Sequence, residues 1–323
     1  MKKSKKILAL ILVSVLILTI FAGCSKGSSD KKISIGVCQL VQHDALDAAT
    51  NGFIDAVKEK LGEDKVEIDV QNAQGDSPTC ATITNQFVAN GVDLIFANAT
   101  PALESAVSST GTIPIVATSV TDYATALHIS DWNGKTGMNV TGTADLAPLD
   151  KQAEIVKELV PDAKTVGIIY CSAEANSKFQ ADKITEEFKK MNLEVKEYTA
   201  ADSNDIASVT TNACSEVDVL YIPTDNTMAS NSEVINNIAE PAKIPVITGE
   251  ENICKGCGIA TLSVDYYSIG YQAGEMAVQI ITENADPAEM EIKYATDLKK
   301  KYVADRCEKL GITIPEGYEA IAE

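Results

Sequence analysis

Beyond its first 31 residues, the chain alternates short apolar runs with longer amphipathic segments, which is typical of strands and helices around a parallel sheet. The first series opens with an apolar run at 32–37, followed by helical periodicity at 44–61. The same alternation predicts strands at 66–70, 92–97 and 113–118 and helices at 78–90 and 101–109. Because a helix-length segment separates each strand from the next, we predict a doubly wound lobe.

The alternation occurs a second time in the same order, beginning at residue 165. It predicts strands at 165–170, 194–198, 217–222 and 244–248 and helices at 177–191, 204–214 and 227–238. Landmark residues keep register between the two series: Gly36 corresponds to Gly167, and Asp93 corresponds to Asp218. An ordered series of similar elements indicates an internal repeat. The predicted fold class is therefore α/β, with two similar doubly wound parallel-sheet lobes.

The rest of the chain adds elements that neither series accounts for. They are a strand and helix at 258–264 and 267–282 and a last strand and helix within 291–310. We predict that this tail crosses to the first lobe and returns, which gives a three-strand hinge near 141–145, 263–266 and 288–292. The first lobe is then expected to comprise 33–142 plus 265–289, and the second 143–264 plus 290–323.

Residues 1–23 have the pattern of a lipoprotein signal peptide. Four lysines within the first six residues precede an apolar run at 7–22, which is short for a spanning helix of about 20 residues. The run ends in Phe-Ala-Gly-Cys, which resembles a lipobox, so we expect Cys24 to be lipidated and 24–32 to be a flexible tether. The protein would then be extracytoplasmic, anchored to the outer face of the cell membrane. An ordinary cleaved signal and an uncleaved anchor are the alternatives.

The composition of the chain limits the kinds of partner and bound group that we expect. The formal net charge of −19 makes nucleic acid an unsuitable partner, because its binding requires clustered Lys and Arg. The seven cysteines other than Cys24 are scattered, which is not the pattern of a disulfide framework. Cys254 and Cys257 are a close pair, either a local disulfide or two reduced thiols. Since His43 and His128 are the only histidines, we expect neither a metal site nor a cofactor.

Ligands of parallel α/β sheets bind beyond the carboxyl ends of the strands, and two facing lobes would form a cleft there. In the first lobe, Gln39, Thr100 and Ser119 each follow a predicted strand. Thr100 precedes Pro101, which favours a helix start whose free N–H groups attract a carboxylate. We expect the hydroxyls of Thr100 and Ser119 to hold a ligand carboxylate. The alternative is that Thr100 only caps its own helix.

The second lobe offers acidic chemistry at the corresponding positions. The residues that follow its predicted strands include Asn176, Thr224, Asp225, Glu250 and Asp265. We expect Asp225 and Glu250 to receive an ammonium group across the cleft. The alternatives are helix capping for Asp225 and plain surface charge for Glu250. A carboxylate-binding lobe that faces an acidic lobe is complementary to an α-amino acid.

Several blocks resemble a known family, among them GVCQLVQHDALDAATNGF, IFANATPAL, IPIVATSVTDY, NVTGTAD, YIPTDNTMAS and VDYYSIGYQAG. They are similar to ABC-transporter substrate-binding proteins of the type I periplasmic-binding-protein fold, in particular the tryptophan/tyrosine-permease-like family. The resemblance implies an aromatic amino acid (Trp, Tyr or Phe) as ligand and delivery to a membrane permease. It also implies that the ligand-binding site is lined by Gln39, Thr100, Ser119, Asn176 and Asp225. The stretch 124–136, which contains Trp132, departs from the family pattern.

The sequence gives less support to an enzyme, to transport of another kind of ligand or to nutrient sensing. It contains no G-x-S-x-G elbow, Walker A loop or H-E-x-x-H motif, so we do not predict an enzyme. Transport of a nucleoside or a sugar, and nutrient sensing without transport, are the remaining alternatives. Aromatic residues make up 5% of the chain and few follow strands, which argues mildly against a sugar ligand.

Overall fold

The computed structural model describes residues 32–322, whose first sheet has six strands. These are β1 Ile33–Gln39, β2 Val66–Asn72, β3 Leu94–Asn98, β4 Ile115–Val120, β5 Val140–Ala144 and β11 Lys293–Tyr294. They lie in the order β11-β5-β4-β3-β1-β2, and their pairings are parallel.

The second sheet repeats this arrangement. Its strands are β6 Thr165–Cys171, β7 Glu194–Ala200, β8 Val219–Ile222, β9 Val246–Thr248, β10 Ala260–Ser263, β12 Lys299–Tyr302 and β13 Glu319–Ala320. They lie in the order β13-β12-β10-β9-β8-β6-β7, and only the β10–β12 pairing is antiparallel among the described strands. The order β2-β1-β3-β4-β5 therefore matches β7-β6-β8-β9-β10. This match confirms the predicted pair of similar α/β lobes.

Helices separate the strands in both lobes. They are α1 Asp44–Leu61, α2 Ser77–Asn90, α3 Thr100–Ser109, α4 Tyr123–Ala126, α5 Leu149–Leu159, α6 Ala175–Lys190, α7 Ile206–Cys214, α8 Asn226–Ser230, α9 Ser232–Ala242, α10 Glu251–Cys257, α11 Tyr266–Glu283 and α12 Ala304–Leu310. Short 3-10 turns occupy Glu63–Lys65 and Pro287–Glu289. Within residues 32–322, none of the helices has both the length and the apolar character needed to cross a membrane.

Each lobe has its own aromatic core contact. Phe53 of α1 stacks on Phe96 of β3 with ring centroids 3.7 Å apart. In the second lobe, Phe188 of α6 meets Tyr221 of β8 edge-on at 5.7 Å. All four rings are buried, so each pair joins a helix to an interior strand of its own sheet.

The chain passes between the sheets at 145–148, 264–265 and 295–298 of the described range. The prediction that residues 290–323 belong to the second lobe is wrong at its start, because Lys293 and Tyr294 pair with Thr143 and Ala144 in the first sheet. The third crossing therefore comes later than predicted. A two-residue edge strand has no period-2 pattern that a sequence could reveal.

Some helices also differ from the sequence prediction. The predicted helix at 227–238 is divided into α8 and α9, because Asn231 leaves the helical conformation and its side chain donates to the Thr227 carbonyl. Helices α5 and α10 lie in segments to which the sequence assigned no element. Helix α10 carries Cys254 and Cys257, so the close cysteine pair is helical.

Helices α1 and α11 pack very closely, which holds the segment after the second crossing against the first lobe. A Cβ atom at Gly270 of α11 would collide with the Ala49 carbonyl of α1. A Cβ atom at Gly52 of α1 would likewise collide with the Tyr267 carbonyl. Because the obstructing atoms are backbone, the helices must separate to admit a larger side chain.

We expect Gly270→Ala to lower the free energy of unfolding by about 1–3 kcal/mol, because it overpacks this helix contact. Urea unfolding followed by circular dichroism measures the change. Gly111→Ala is the matched control, since a Cβ there meets no described atom within 4 Å. Equal stability of the two variants would contradict the proposed role of the contact.

Candidate ligand-binding cleft

Residues at the carboxyl ends of β4, β6, β8 and β9 meet at one small cleft between the lobes. The structure brings five of the predicted site residues into its wall: Ser119, Asn176, Thr224, Asp225 and Glu250. The carboxyl ends of the two sheets therefore face the same space.

Gln39 and Asp265, two other predicted site residues, are not in the cleft wall. Gln39 donates to Asp47 Oδ1 at 2.6 Å and accepts from Thr50 Oγ1 at 2.6 Å, so its amide supports helix α1. Asp265 accepts a hydrogen bond from Ser268 N and caps helix α11 on an exposed face. Both side chains are thus used within the first lobe.

Thr100 begins helix α3 beside the strand end that carries Ser119, although it does not itself contact the cleft. Ala99 N donates to the Thr118 carbonyl at 3.1 Å, which fixes this adjacency. The hydroxyl oxygens of Thr100 and Ser119 are buried and find no hydrogen-bond partner within residues 32–322. The alternative that Thr100 caps its own helix is therefore not observed.

The backbone around these hydroxyls is strained. Ala99 has φ 95° and Ser119 has φ 55°, in the region that L-residues with a side chain avoid. Each such residue costs of order 1–3 kcal/mol and persists only where the surrounding structure imposes it. Strained residues of this kind cluster at ligand sites, and here they orient two hydroxyls at a helix N-terminus that suits a carboxylate.

Asp225 and Glu250 occupy equivalent positions at the starts of two short helices. Asp225 accepts from Cys171 N at 2.7 Å and from Met228 N at 2.8 Å, so it caps α8. Glu250 accepts from the N–H groups of Asn252 and Ile253 and caps α10. Capping, the alternative for Asp225, is therefore present together with a place in the cleft wall. Glu250 is only 3% exposed, so it is not a plain surface charge.

The cleft is acidic and short of positive charge. Burial raises the pKa of the Asp225 carboxyl to about 8, and the Glu174 charge adds to this rise. Burial also raises the pKa of Glu250 to about 8 against its backbone hydrogen bonds. Among the described residues that line the cleft, none is Lys or Arg. A bound ammonium group would supply the missing charge.

Glu174 organises the second-lobe wall. Its Oε1 accepts from Thr227 N and Oγ1, both at 2.8 Å, and its Oε2 accepts from Asn226 N and Nδ2 at 3.0 and 2.8 Å. Asn176 Nδ2 donates to the same Oε2 at 3.1 Å. The Asn176 Oδ1 atom is buried without a partner among the residues described, so it is available to a ligand donor.

Asp145 and Tyr266 line the cleft, but the sequence did not single them out as site residues. Tyr266 OH donates to Asp145 Oδ2 at 2.7 Å. The other oxygen, Oδ1, has no hydrogen-bond partner of ordinary geometry in the described range. Asp145 directly follows β5, so the rule that polar residues after strands face the ligand would have found it. The sequence predicts a hinge strand near 141–145, which is why Asp145 is not among the predicted site residues.

His43 links the two lobes across the cleft. Leu46 N donates to His43 Nδ1 at 3.5 Å, which caps α1, and Nε2 lies 3.4 Å from Asn226 Oδ1 in the second lobe. Burial lowers the pKa of this imidazole, although Asn226 and nearby carboxylates oppose the shift. A neutral ring that accepts at Nδ1 and donates at Nε2 fits both contacts.

The described residues contain neither a candidate metal site nor a disulfide. Within residues 32–322, no group of three or more His, Cys, Asp or Glu side chains is arranged to hold a metal ion. The seven cysteines of this range are separate thiols, including Cys254 and Cys257. Cys24 and the predicted signal peptide lie outside the described residues, so lipidation stays a prediction.

The chain matches the family model for ABC transporter substrate-binding proteins over residues 34–323. It therefore belongs to this family. A curated tyrosine-binding protein from Clostridioides difficile is 40% identical over 295 residues, which cover 87% of this chain and 85% of that protein. Since these relatives are binding proteins, the prediction that the chain is not an enzyme is confirmed.

Solved structures support the same fold. A Streptococcus pneumoniae structure in complex with L-Trp is 34% identical, has a TM-score of 0.86, and the match covers 90% of this chain and 100% of that one. The ligand-free, open structure of a Clostridium difficile substrate-binding protein with adhesive properties is 36% identical with a TM-score of 0.69, and the match covers 89% and 98%. These likenesses confirm the predicted type I periplasmic-binding-protein fold.

We expect the free energy of unfolding of the ligand-free protein to fall between pH 5 and pH 8. Asp225 and Glu250 keep their protons to about pH 8 when folded but release them near pH 4 when unfolded. The folded state then binds more protons in this range, so stability falls as pH rises, by up to about 1.4 kcal/mol per pH unit for each group.

Urea unfolding at several pH values measures this slope. Glu250→Gln should flatten it, whereas Glu283→Gln, which changes an exposed residue on α11, should leave it unchanged. A Glu250→Gln slope equal to that of the wild type would show that Glu250 titrates normally in the folded protein.

Proposed function

We propose that this protein binds one aromatic amino acid in the cleft between its lobes and presents it to an ABC permease. The observation that carries the proposal is a set of buried polar atoms without partners in residues 32–322. Ser119 Oγ and Asp145 Oδ1 lie at strand ends of the first lobe with Thr100 Oγ1 nearby, and Asn176 Oδ1 lies in the second lobe. Buried polar groups without hydrogen bonds are costly, and a ligand that pairs with them recovers that cost.

The two sides of the cleft suit the two charges of an amino acid. The hydroxyl of Ser119, which lies in the cleft wall beside the N-terminus of α3 at Thr100, offers a donor for the α-carboxylate. The carboxyl groups of Asp225 and Glu250 in the second lobe, and that of Asp145 at the end of β5 in the first lobe, favour the ammonium group. A zwitterion thereby pairs with both sides at once and holds the lobes together.

The side chain of the ligand needs an apolar surface. The cleft wall includes Leu46, Ala229 and the ring of Tyr266, all buried. The names of the relatives support an aromatic side chain, since one is a tyrosine-binding protein and another structure contains L-Trp. In the open form these surfaces would separate, so a ligand that contacts both lobes favours closure.

We expect L-tyrosine, L-tryptophan or L-phenylalanine to raise the unfolding temperature most in a thermal-shift screen of the twenty amino acids. Ser119→Ala should weaken the binding of the best ligand about tenfold, because it removes a hydrogen bond to a charged carboxylate worth about 1.5 kcal/mol. Isothermal titration calorimetry measures the affinity. The control is Ser108→Ala, which changes an exposed serine on α3. Binding of a sugar or nucleoside, with no response to amino acids, would contradict the proposal.

We also propose that Cys24 carries the lipid that anchors the protein outside the cell membrane. Metabolic labelling with a palmitate analogue should mark the wild type and Cys214→Ser, but not Cys24→Ser, because only Cys24 follows the lipobox-like sequence. The Cys24→Ser cells should also take up labelled aromatic amino acid more slowly, since the released protein no longer stays near its permease. Labelling of Cys24→Ser would refute the anchor, and unchanged uptake would refute delivery by the anchored form.

A further inference from the structure

The acidic side of the cleft contains several carboxyl groups, and their hydrogen bonds distinguish which of them can receive an ammonium group. The oxygens of Asp225 are each used by a backbone N–H: Oδ2 by Cys171 at 2.7 Å and Oδ1 by Met228 at 2.8 Å. Glu250 is used in the same way, with Oε2 bound to Asn252 N and Oε1 to Ile253 N. In both side chains, each carboxyl oxygen is therefore already paired with a backbone N–H group.

Asp145 differs from both. Only its Oδ2 has a hydrogen bond of ordinary geometry among the described residues, from Tyr266 OH at 2.7 Å, and its Oδ1 has none. The residue is 4% exposed, so water does not solvate that oxygen freely. An unpaired oxygen of a buried carboxyl is the most costly kind of unsatisfied group in the cleft.

The surroundings of Asp145 contain acidic groups and hydroxyls. Its charge interacts unfavourably with Glu250, and the hydroxyls of Tyr266 and Thr121 lie beside it. Burial raises the pKa of Asp145, while these two hydroxyls oppose the rise. Among the described residues that line the cleft, Lys and Arg are absent, so the chain provides no cation there.

We propose that Asp145 is the residue that receives the ammonium group of the bound amino acid, whereas Asp225 and Glu250 mainly position the cleft wall. This assignment rests on the proposed function and specifies it. It replaces the expectation from the sequence, which gave the ammonium group to Asp225 and Glu250. An ammonium group at Oδ1 would complete the hydrogen bonding of a carboxyl whose other oxygen is held by Tyr266.

The position of Asp145 also connects ligand binding with the hinge. Asp145 opens the first crossing at 145–148, and Tyr266 immediately follows the second crossing at 264–265. Their hydrogen bond joins two of the segments that link the lobes. A ligand that binds Asp145 therefore contacts the hinge directly, and its charge favours the arrangement in which Asp145 and Tyr266 face the cleft.

The test compares three probes on the full chain by calorimetry. L-Tyrosine carries both charged groups, 3-(4-hydroxyphenyl)propanoate lacks the ammonium group, and tyramine lacks the carboxylate. Asp145→Asn keeps the shape of the side chain and removes its charge. We expect this variant to lower the affinities for L-tyrosine and tyramine by the same factor, tenfold or more. Its affinity for the propanoate should change less than threefold.

Matched variants separate binding from positioning. Asp225→Asn and Glu250→Gln should weaken L-tyrosine and the propanoate by similar factors, because they loosen the wall without touching the ammonium group. Tyr266→Phe keeps the charge of Asp145. It should therefore lower the affinity for L-tyrosine less than Asp145→Asn does. If neither analogue binds the wild type measurably, Asp145→Asn must still weaken L-tyrosine at least tenfold more than Asp225→Asn or Glu250→Gln.

The outcomes that overturn the assignment are distinct from failure of the proposed function. Equal losses of L-tyrosine and the propanoate in Asp145→Asn, or an ammonium-selective loss in Asp225→Asn or Glu250→Gln, overturn the role of Asp145 alone. A wild type that binds neither L-tyrosine nor L-tryptophan overturns the proposed function and this assignment with it.

Discussion

Closing two lobes over a cleft requires that the carboxyl groups buried inside find compensating charge, and most of this structure serves that requirement. Backbone N–H groups at the starts of α8 and α10 compensate Asp225 and Glu250. Glu174 is compensated by Asn226 and Thr227. The described cleft wall has no Lys or Arg, so the ammonium group of the proposed ligand would be its cation. If that ligand binds as proposed, its ammonium group would stabilise the closed arrangement.

The short helices of the second lobe are held rigidly enough to present these carboxyl groups. Arg306, the sole arginine of the sequence, donates to carbonyls of residues 254, 255, 256 and 258 at the end of α10. Gln180 binds the backbone of Thr224 through both its nitrogen and its oxygen. Gln152 donates to the Gly249 carbonyl, next to Glu250. These hydrogen bonds thus fix the loops on both sides of the acidic residues, as a preorganised site requires.

Much of the fold could be predicted from local pattern. Apolar runs separated by helical periodicity revealed both lobes and their repeat, because strands buried on both faces and amphipathic helices leave strong periodic signals. The third crossing was misplaced, since the edge strand Lys293–Tyr294 is held by two residues of pairing with β5. Helix α10 was missed because its seven residues depend on a cap at one end and Arg306 at the other. Such contacts join residues distant in sequence.

For the site, the sequence by itself determined that polar residues follow the strands, and parallel strands bring Ser119, Asn176, Asp225 and Glu250 to one cleft. Only the tertiary structure decided which of their atoms are free. It uses Gln39 to brace α1 and leaves Asp145 with one oxygen unpaired in the described chain. The physical reason is that a residue's type and position in a strand are local properties. Whether its polar atoms already have partners depends on donors that the fold brings from elsewhere.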